Sequence, residues 1–225
     1  MNIIFDLYGT LMNIHTDEER ASFWSKFAKK MNKYKEYNAQ ELRKEYLSIC
    51  AELQKEIEEI DILKVFNQLY PNANKEEVAV LFRKLSTDFI RPYFGVKRLL
   101  KQLKKDGHCI YLLSNAQASF TNYELDRFKL KKYFDGIFLS SDYGIKKPNL
   151  AYYKKLIETY NLNISKSIMI GNDYQNDILP PKELGLRAIY IESNQSTVTD
   201  VEDKIINFSF KKVYERILSY GDKNE

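Results

Sequence analysis

Apolar residues follow two rhythms along this chain. Residues 2–6 (Asn-Ile-Ile-Phe-Asp) form a short apolar run that ends on a carboxylate and soon reaches Gly9. That is the pattern of a buried strand feeding a tight turn. From Ile14 to about Ile90 the spacing becomes helical. Phe23, Trp24, Phe27 and Met31 share one stripe, as do Leu42, Tyr46, Ile49 and Leu53. Ile62, Val65, Phe66 and Leu69 form the next stripe, then Val78, Leu81, Phe82, Leu85 and Phe89. The stretch predicts about four amphipathic helices and no strand. After Arg91-Pro92 the two rhythms alternate. Apolar runs at 109–113, 137–140, 167–171 and 187–191 are separated by helical spacing at about 94–106, 117–128, 149–160 and 176–184. From 192 the chain is polar, and helical again at about 208–219.

Strands alternating with helices imply a parallel sheet with right-handed crossovers and helices on both faces. The first strand is cut off from the others by the helical block. The expected fold is therefore α/β: a doubly wound parallel sheet, Rossmann-like, with an inserted helical-bundle cap domain. The core takes residues 1–13 and 91–225, and the cap 14–90. In such sheets ligands sit outside the carboxyl ends of the strands, and reactive side chains fall there in this sequence. The first strand ends in Asp6-Leu7-Tyr8-Gly9-Thr10 and the second in Ser114-Asn115. Lys146-Lys147-Pro148 follows the third, and Gly171-Asn172-Asp173 closes the fourth, with Asp177 four residues on. Asp6, Asp173 and Asp177 crowded together would repel one another and raise their pKa values. A hard divalent cation relieves that cost, and magnesium is the usual choice beside phosphate.

Taken in order at successive strand ends, these motifs resemble the haloacid dehalogenase (HAD) superfamily of aspartate-nucleophile hydrolases, with a helical cap of the C1 type inserted after the first motif. The match covers residues 1–12 and about 92–192. The resemblance implies that Asp6 attacks phosphorus and becomes an aspartyl-phosphate. It implies that Thr10 steadies the transferred group, and that Ser114, followed by Asn115, donates to a phosphate oxygen. Lys147 would neutralise charge on nucleophile and phosphoryl group. Mg2+ would be held by Asp6, Asp173, Asp177 and the carbonyl of Tyr8. The expected activity is a metal-dependent phosphatase acting on a small phosphorylated metabolite.

Two positions depart from that pattern. Phosphatases of the superfamily usually carry a second Asp two residues after the nucleophile as general acid and base, and this chain has Tyr8. A phenol with an ordinary pKa of about 10 is a poor general base at neutral pH. Tyrosine there is typical of 2-haloacid dehalogenases, which need no metal, and Tyr153 also echoes that branch. Asp173 and Asp177 point back to metal chemistry, and Asn172 stands where a Gly commonly precedes the acid. A 2-haloacid dehalogenase remains one alternative. A non-catalytic binding or regulatory protein of the same fold is the other.

Composition changes little in this picture. Among 225 residues, 35 basic and 31 acidic side chains give a net charge of +4, and no basic run exceeds two. That balance argues against a nucleic-acid partner and suits a small anionic substrate. No stretch approaches the ~20 apolar residues of a membrane span. The expectation is a cytoplasmic protein, monomer or dimer. Cys50 and Cys109 lie far apart with no metal or redox spacing and are expected to be buried free thiols. His15 and His108 have no partner pattern, and Trp24 with its aromatic stripe is expected to pack the cap.

Overall fold

The computed structural model describes residues 1–221. In chain order its elements begin with strands β1 (Asn2–Phe5) and β2 (Met12–Thr16), then helices α1 (Ala21–Met31), α2 (Ala39–Leu53), α3 (Ile62–Leu69) and α4 (Lys75–Ser86). Strand β3 (Thr87–Pro92), helix α5 (Val96–Lys105), β4 (Cys109–Ser114), α6 (Ala118–Arg127), β5 (Gly136–Leu139), α7 (Ser140–Tyr143) and α8 (Leu150–Thr159) follow. The chain continues through β6 (Ser167–Gly171), α9 (Leu179–Glu183), β7 (Arg187–Glu192), β8 (Lys204–Ile206) and α10 (Phe210–Gly221).

Six strands form one sheet in the order β5-β4-β1-β6-β7-β8, with every pairing parallel. The first strand of the chain is thus a central one, with Phe5 level with Leu112 on one side and Ile170 on the other. Such strands read as apolar runs because both faces are covered. Ile3 and Phe5 pack on one face with α5 and α10, through Leu99, Leu103, Val213 and Ile217. Ile4 points to the other face and joins Tyr152, Tyr153 and Leu156 of α8. Strands are added outward from β1 in one direction, then from β6 in the other. The crevice at that reversal opens beyond the carboxyl ends of β1 and its neighbours.

The helical block has its own core, in which Phe23, Phe27, Phe66 and Phe82 are fully buried. Trp24 and the aromatic stripe pack there. Asn38 opens α2 with a capping box closed by Glu41, which satisfies amides the helix cannot pair itself. One core residue, Phe120 of α6, belongs to this cluster and stacks on Phe82 with ring centroids 6.2 Å apart.

The structure corrects the sequence-based expectation in four places. Residues 14–90 were expected to hold no strand, but β2 and β3 pair as an antiparallel ribbon joining block and sheet. Met12 is the one fully buried residue of the two strands, so neither shows apolar alternation, and Phe89 mimicked a last helical turn. Strand β8 falls in the stretch read as a polar tail; only Ile205 of its three residues is buried. The helix expected at about 176–184 is a π-helical turn, Tyr174–Ile178, followed by the short α9. Pro180 has no N–H to give the Asn176 carbonyl, and the Tyr153 hydroxyl donates to it instead. Finally, Cys109 is exposed and Cys50 half-buried, against the expected buried thiols.

Candidate active site

Asp6 leaves β1 at the bottom of the crevice, anchored by its amide to the Ile170 carbonyl at 2.9 Å. The chain then turns sharply, with the amides of Leu11 and Met12 both on the Leu7 carbonyl at 2.8 Å. Gly9 makes the turn possible. Its φ is +84°, and a Cβ there would meet the Asn172 side chain at 2.4 Å. Thr10, wholly buried, sits 3.1 Å from Asp6 Oδ2 and 3.0 Å from Asn172 Oδ1 through its hydroxyl. Thr10 does not line the cavity described below.

Lys147 is the hub. Its ammonium, 3 % exposed, donates to Asp6 Oδ1 at 2.8 Å and to Asp177 Oδ1 at 2.6 Å. Burial alone would lower its pKa, but the Asp177 and Asp6 carboxylates outweigh that and hold the ammonium protonated. Asn115 fixes the lysine from behind. Its amide accepts from the Lys147 N–H and donates to the Lys147 carbonyl, both at 2.8 Å. Ser114 Oγ donates to Asp6 Oδ1 at 3.2 Å. Asp177, fully buried, also accepts the Asp173 amide on Oδ2 at 3.0 Å. Its carboxyl pKa is raised by burial, which outweighs the neighbouring ammonium. Gly171 leaves room for that side chain, since a Cβ there would lie 2.2 Å from Asp177 Oδ2.

Asp173 lies at the rim and is bonded within its own turn. Its Oδ1 caps the π-helical turn by accepting the amides of Gln175 and Asn176, and its Oδ2 accepts Asn176 Nδ2 at 2.7 Å. Asp6, Asp173 and Asp177 nonetheless line one cavity of about 200 Å³, with Tyr8, Ser114, Asn115 and Lys147. Oxygen donors of this kind suit a hard cation, and two buried carboxylates share a single ammonium, so the donor set fits magnesium in kind. It is not a closed ligand sphere: among the described residues no three acidic, His or Cys side chains surround one point. Asp173 would have to leave its cap to join one. Neither His15 nor His108 lines the cavity.

Tyr8 stands apart from the rest. Its hydroxyl donates to Glu124, which is 2 % exposed, and lies 3.0 Å from Thr121 Oγ1. Arg83 of α4 pairs with the same Glu124 at 2.7 Å, its guanidinium lying over the Tyr8 and Phe120 rings. Burial, with Glu124 beside it, pushes the Tyr8 phenol far above its ordinary range. Sequence inspection singled out neither Arg83 nor Glu124. One signal existed, because Glu124 falls on the same helical face as Phe120 and Thr121, where a lone charge needs a partner. Gln195, also at the cavity, lies in the stretch read only as polar tail and offered none.

A family model described as haloacid dehalogenase-like hydrolase matches residues 3–191. A glyceraldehyde 3-phosphate phosphatase from Pyrococcus furiosus is 24% identical over 52% of this chain and 48% of its own length. A phosphoglycolate phosphatase from Vibrio parahaemolyticus is 31% identical over 41% of this chain and 40% of its own. The pyrophosphatase PpaX of Bacillus mycoides is 25% identical over 84% of this chain and 82% of its own. The chain spans about half the length of the first of these curated relatives. Among solved structures, a HAD phosphatase from Thermococcus onnurineus superposes with a TM-score of 0.65 at 18% identity, covering 96% of this chain and 97% of that one. A Bacillus subtilis HAD-hydrolase bound to magnesium gives 0.59 at 16% identity, covering 96% and 97%. At these identities the structural likeness speaks for the fold.

Proposed function

The chain belongs to the haloacid dehalogenase-like hydrolase family, and from that membership we propose that it is a magnesium-dependent phosphatase of small phosphorylated molecules, with residues 14–90 as cap over a core of 1–13 and 91–225. The observation that carries the proposal is the buried Lys147 ammonium shared by Asp6 and Asp177 at the carboxyl ends of adjacent strands. A carboxylate so held is oriented toward the cavity beside a fixed positive charge, as suits a nucleophile for phosphorus. Phosphatase relatives support the same reading.

In this mechanism an Asp6 oxygen attacks phosphorus and the bond to the leaving oxygen breaks. Water then attacks the aspartyl-phosphate, releasing phosphate and restoring Asp6. Lys147 and Ser114 offset charge on the phosphoryl oxygens, and Asn115 holds Lys147 in register. Magnesium, held by Asp6, Asp173, Asp177 and the Tyr8 carbonyl, would neutralise the phosphoryl group. Asp6→Asn should abolish turnover while leaving the fold intact, because the amide keeps the shape and loses nucleophilicity.

Tyr8 is the observation that favours a second reading, 2-haloacid dehalogenation. Purified protein assayed on a phosphorylated-metabolite panel with magnesium, and on 2-chloropropionate without it, separates the two. Halide release without metal, and no phosphate release with it, would overturn the phosphatase.

A further inference from the structure

Tyr8 and Asn115 line the Asp6 cavity and also a second one of about 310 Å³ between the helical block and the sheet. A phosphate ester whose phosphorus faces Asp6 therefore has this second space for its organic part. Phe120 and Ile14 give the space apolar walls. Its charged groups are Glu18, Glu59 and Arg83, all from the helical block.

Two of these three are already matched. Arg83 pairs with Glu124 at 2.7 Å. Glu59 accepts Gln117 Nε2 on Oε1 at 2.8 Å, and its Oε2 lies 3.3 Å from the Lys146 ammonium. Glu18 is not matched. Among the described residues its carboxylate makes no hydrogen bond and no ion pair, and the one cation acting on it is the committed Arg83. Burial pushes its carboxyl above the ordinary range despite that charge. The backbone that carries it is fixed. The Asp17 amide donates to the Ser86 carbonyl at 2.8 Å, and Asp17 Oδ1 accepts the amides of Glu19 and Arg20, both at 3.0 Å. Trp24 Nε1, in the core of the block, donates to the Glu18 carbonyl at 2.7 Å. The unmatched charge is thus held at the cavity by the fold of the block.

Resting on the phosphatase reading above, we infer that the substrate is a phosphate ester whose organic part carries a protonated amine, received by Glu18 in the second cavity. A carboxylate drawn partly out of water without a partner is costly, and an ammonium ion restores what it lost. A hydroxyl supplies only a dipole. A second anion on the substrate meets repulsion, because Glu18 remains uncompensated once Arg83 is set against Glu124 and Lys146 against Glu59. Glu18 is in this way a specificity-determining residue, and the chemistry at Asp6 is unchanged.

The test measures kcat/KM, with magnesium, on phosphoethanolamine against n-propyl phosphate and on glucosamine 6-phosphate against glucose 6-phosphate. Phosphoglycolate and p-nitrophenyl phosphate are run alongside. In at least one pair the amine should lead by about tenfold or more, as one charge-assisted hydrogen bond provides. Which pair shows the lead tells whether the amine lies near phosphorus or far from it. Phosphoglycolate should fall below that amine. Glu18→Gln should remove most of the lead, since the amide keeps the shape and loses the charge. A lead below about tenfold in both pairs, or neither pair turned over, while p-nitrophenyl phosphate is hydrolysed, would overturn the inference and leave the phosphatase standing. So would phosphoglycolate ahead of both amines, or a full lead in folded Glu18→Gln. The comparison in the parent protein decides even where the variant fails to fold. Failure on every one of these substrates, p-nitrophenyl phosphate included, would remove the phosphatase reading itself.

Discussion

Asp177 is a carboxyl buried beyond the reach of water, and its behaviour with pH follows from that. Its folded-state pKa lies above the unfolded one because burial penalises the charge more than Lys147 relieves it. Such a group takes up a proton on folding, so it weakens the fold as pH rises from the ordinary carboxylate range through the raised value. Asn at this position mimics the protonated form. Metal-free Asp177→Asn should therefore gain in Tm relative to the parent protein as pH is raised from about 5 to about 8. Thermal melts in chelator would show this, and a difference that stays flat or moves the other way would contradict it. Gly171 imposes a limit of another kind. Gly171→Ala places a methyl 2.2 Å from Asp177 Oδ2 and should displace that carboxylate from Lys147, lowering both stability and turnover.

At the scale of elements, the sequence spoke most clearly where one physical demand dominated. Both-face burial made β1, β4 and β6 continuous apolar runs, and residues at their carboxyl ends could be named before any coordinates. The ribbon β2–β3 is held by ladder hydrogen bonds and has little apolar face, so no periodicity announced it. The π-helical turn was hidden because Pro180-Pro181 read as ordinary helix-start residues, while the turn depends on Tyr153, far away in sequence. For the same reason Asp6, Ser114 and Lys147 were legible from strand ends, whereas Arg83 and Glu124 were not. Their pairing is a contact between two helices. Replacing either partner alone with an apolar residue leaves a buried charge and should cost about 3–5 kcal/mol. Denaturant melts of Arg83→Met, Glu124→Leu and the double variant would test this, and the double variant should recover part of the loss.

Across the whole molecule, the helical block and the sheet share side chains rather than merely touching. Phe120 grows from the core and sits in the block's cluster. Gln117 of the core accepts the Ile62 amide and donates to Glu59 and the Ile60 carbonyl, each at 2.8 Å. The two units should therefore melt in one transition by calorimetry. Phe120→Ala should lower its midpoint, at a cost of about 3–5 kcal/mol. Two separated transitions would show that the block stands alone.

The central place of β1 has a consequence for biosynthesis. β1 leaves the ribosome well before the strands it pairs with, since the ladder partners of Asn2 are Cys109 and Ser167. Until they emerge this apolar strand has both edges unpaired, while the helices of the block, whose contacts are local, emerge and pack. Asp6 at its end gains its setting only when β6 (Ser167–Gly171) arrives. Nascent chains stalled before β6 should therefore expose β1 to trigger-type chaperones and to proteases, and release of those past α9 should end that exposure.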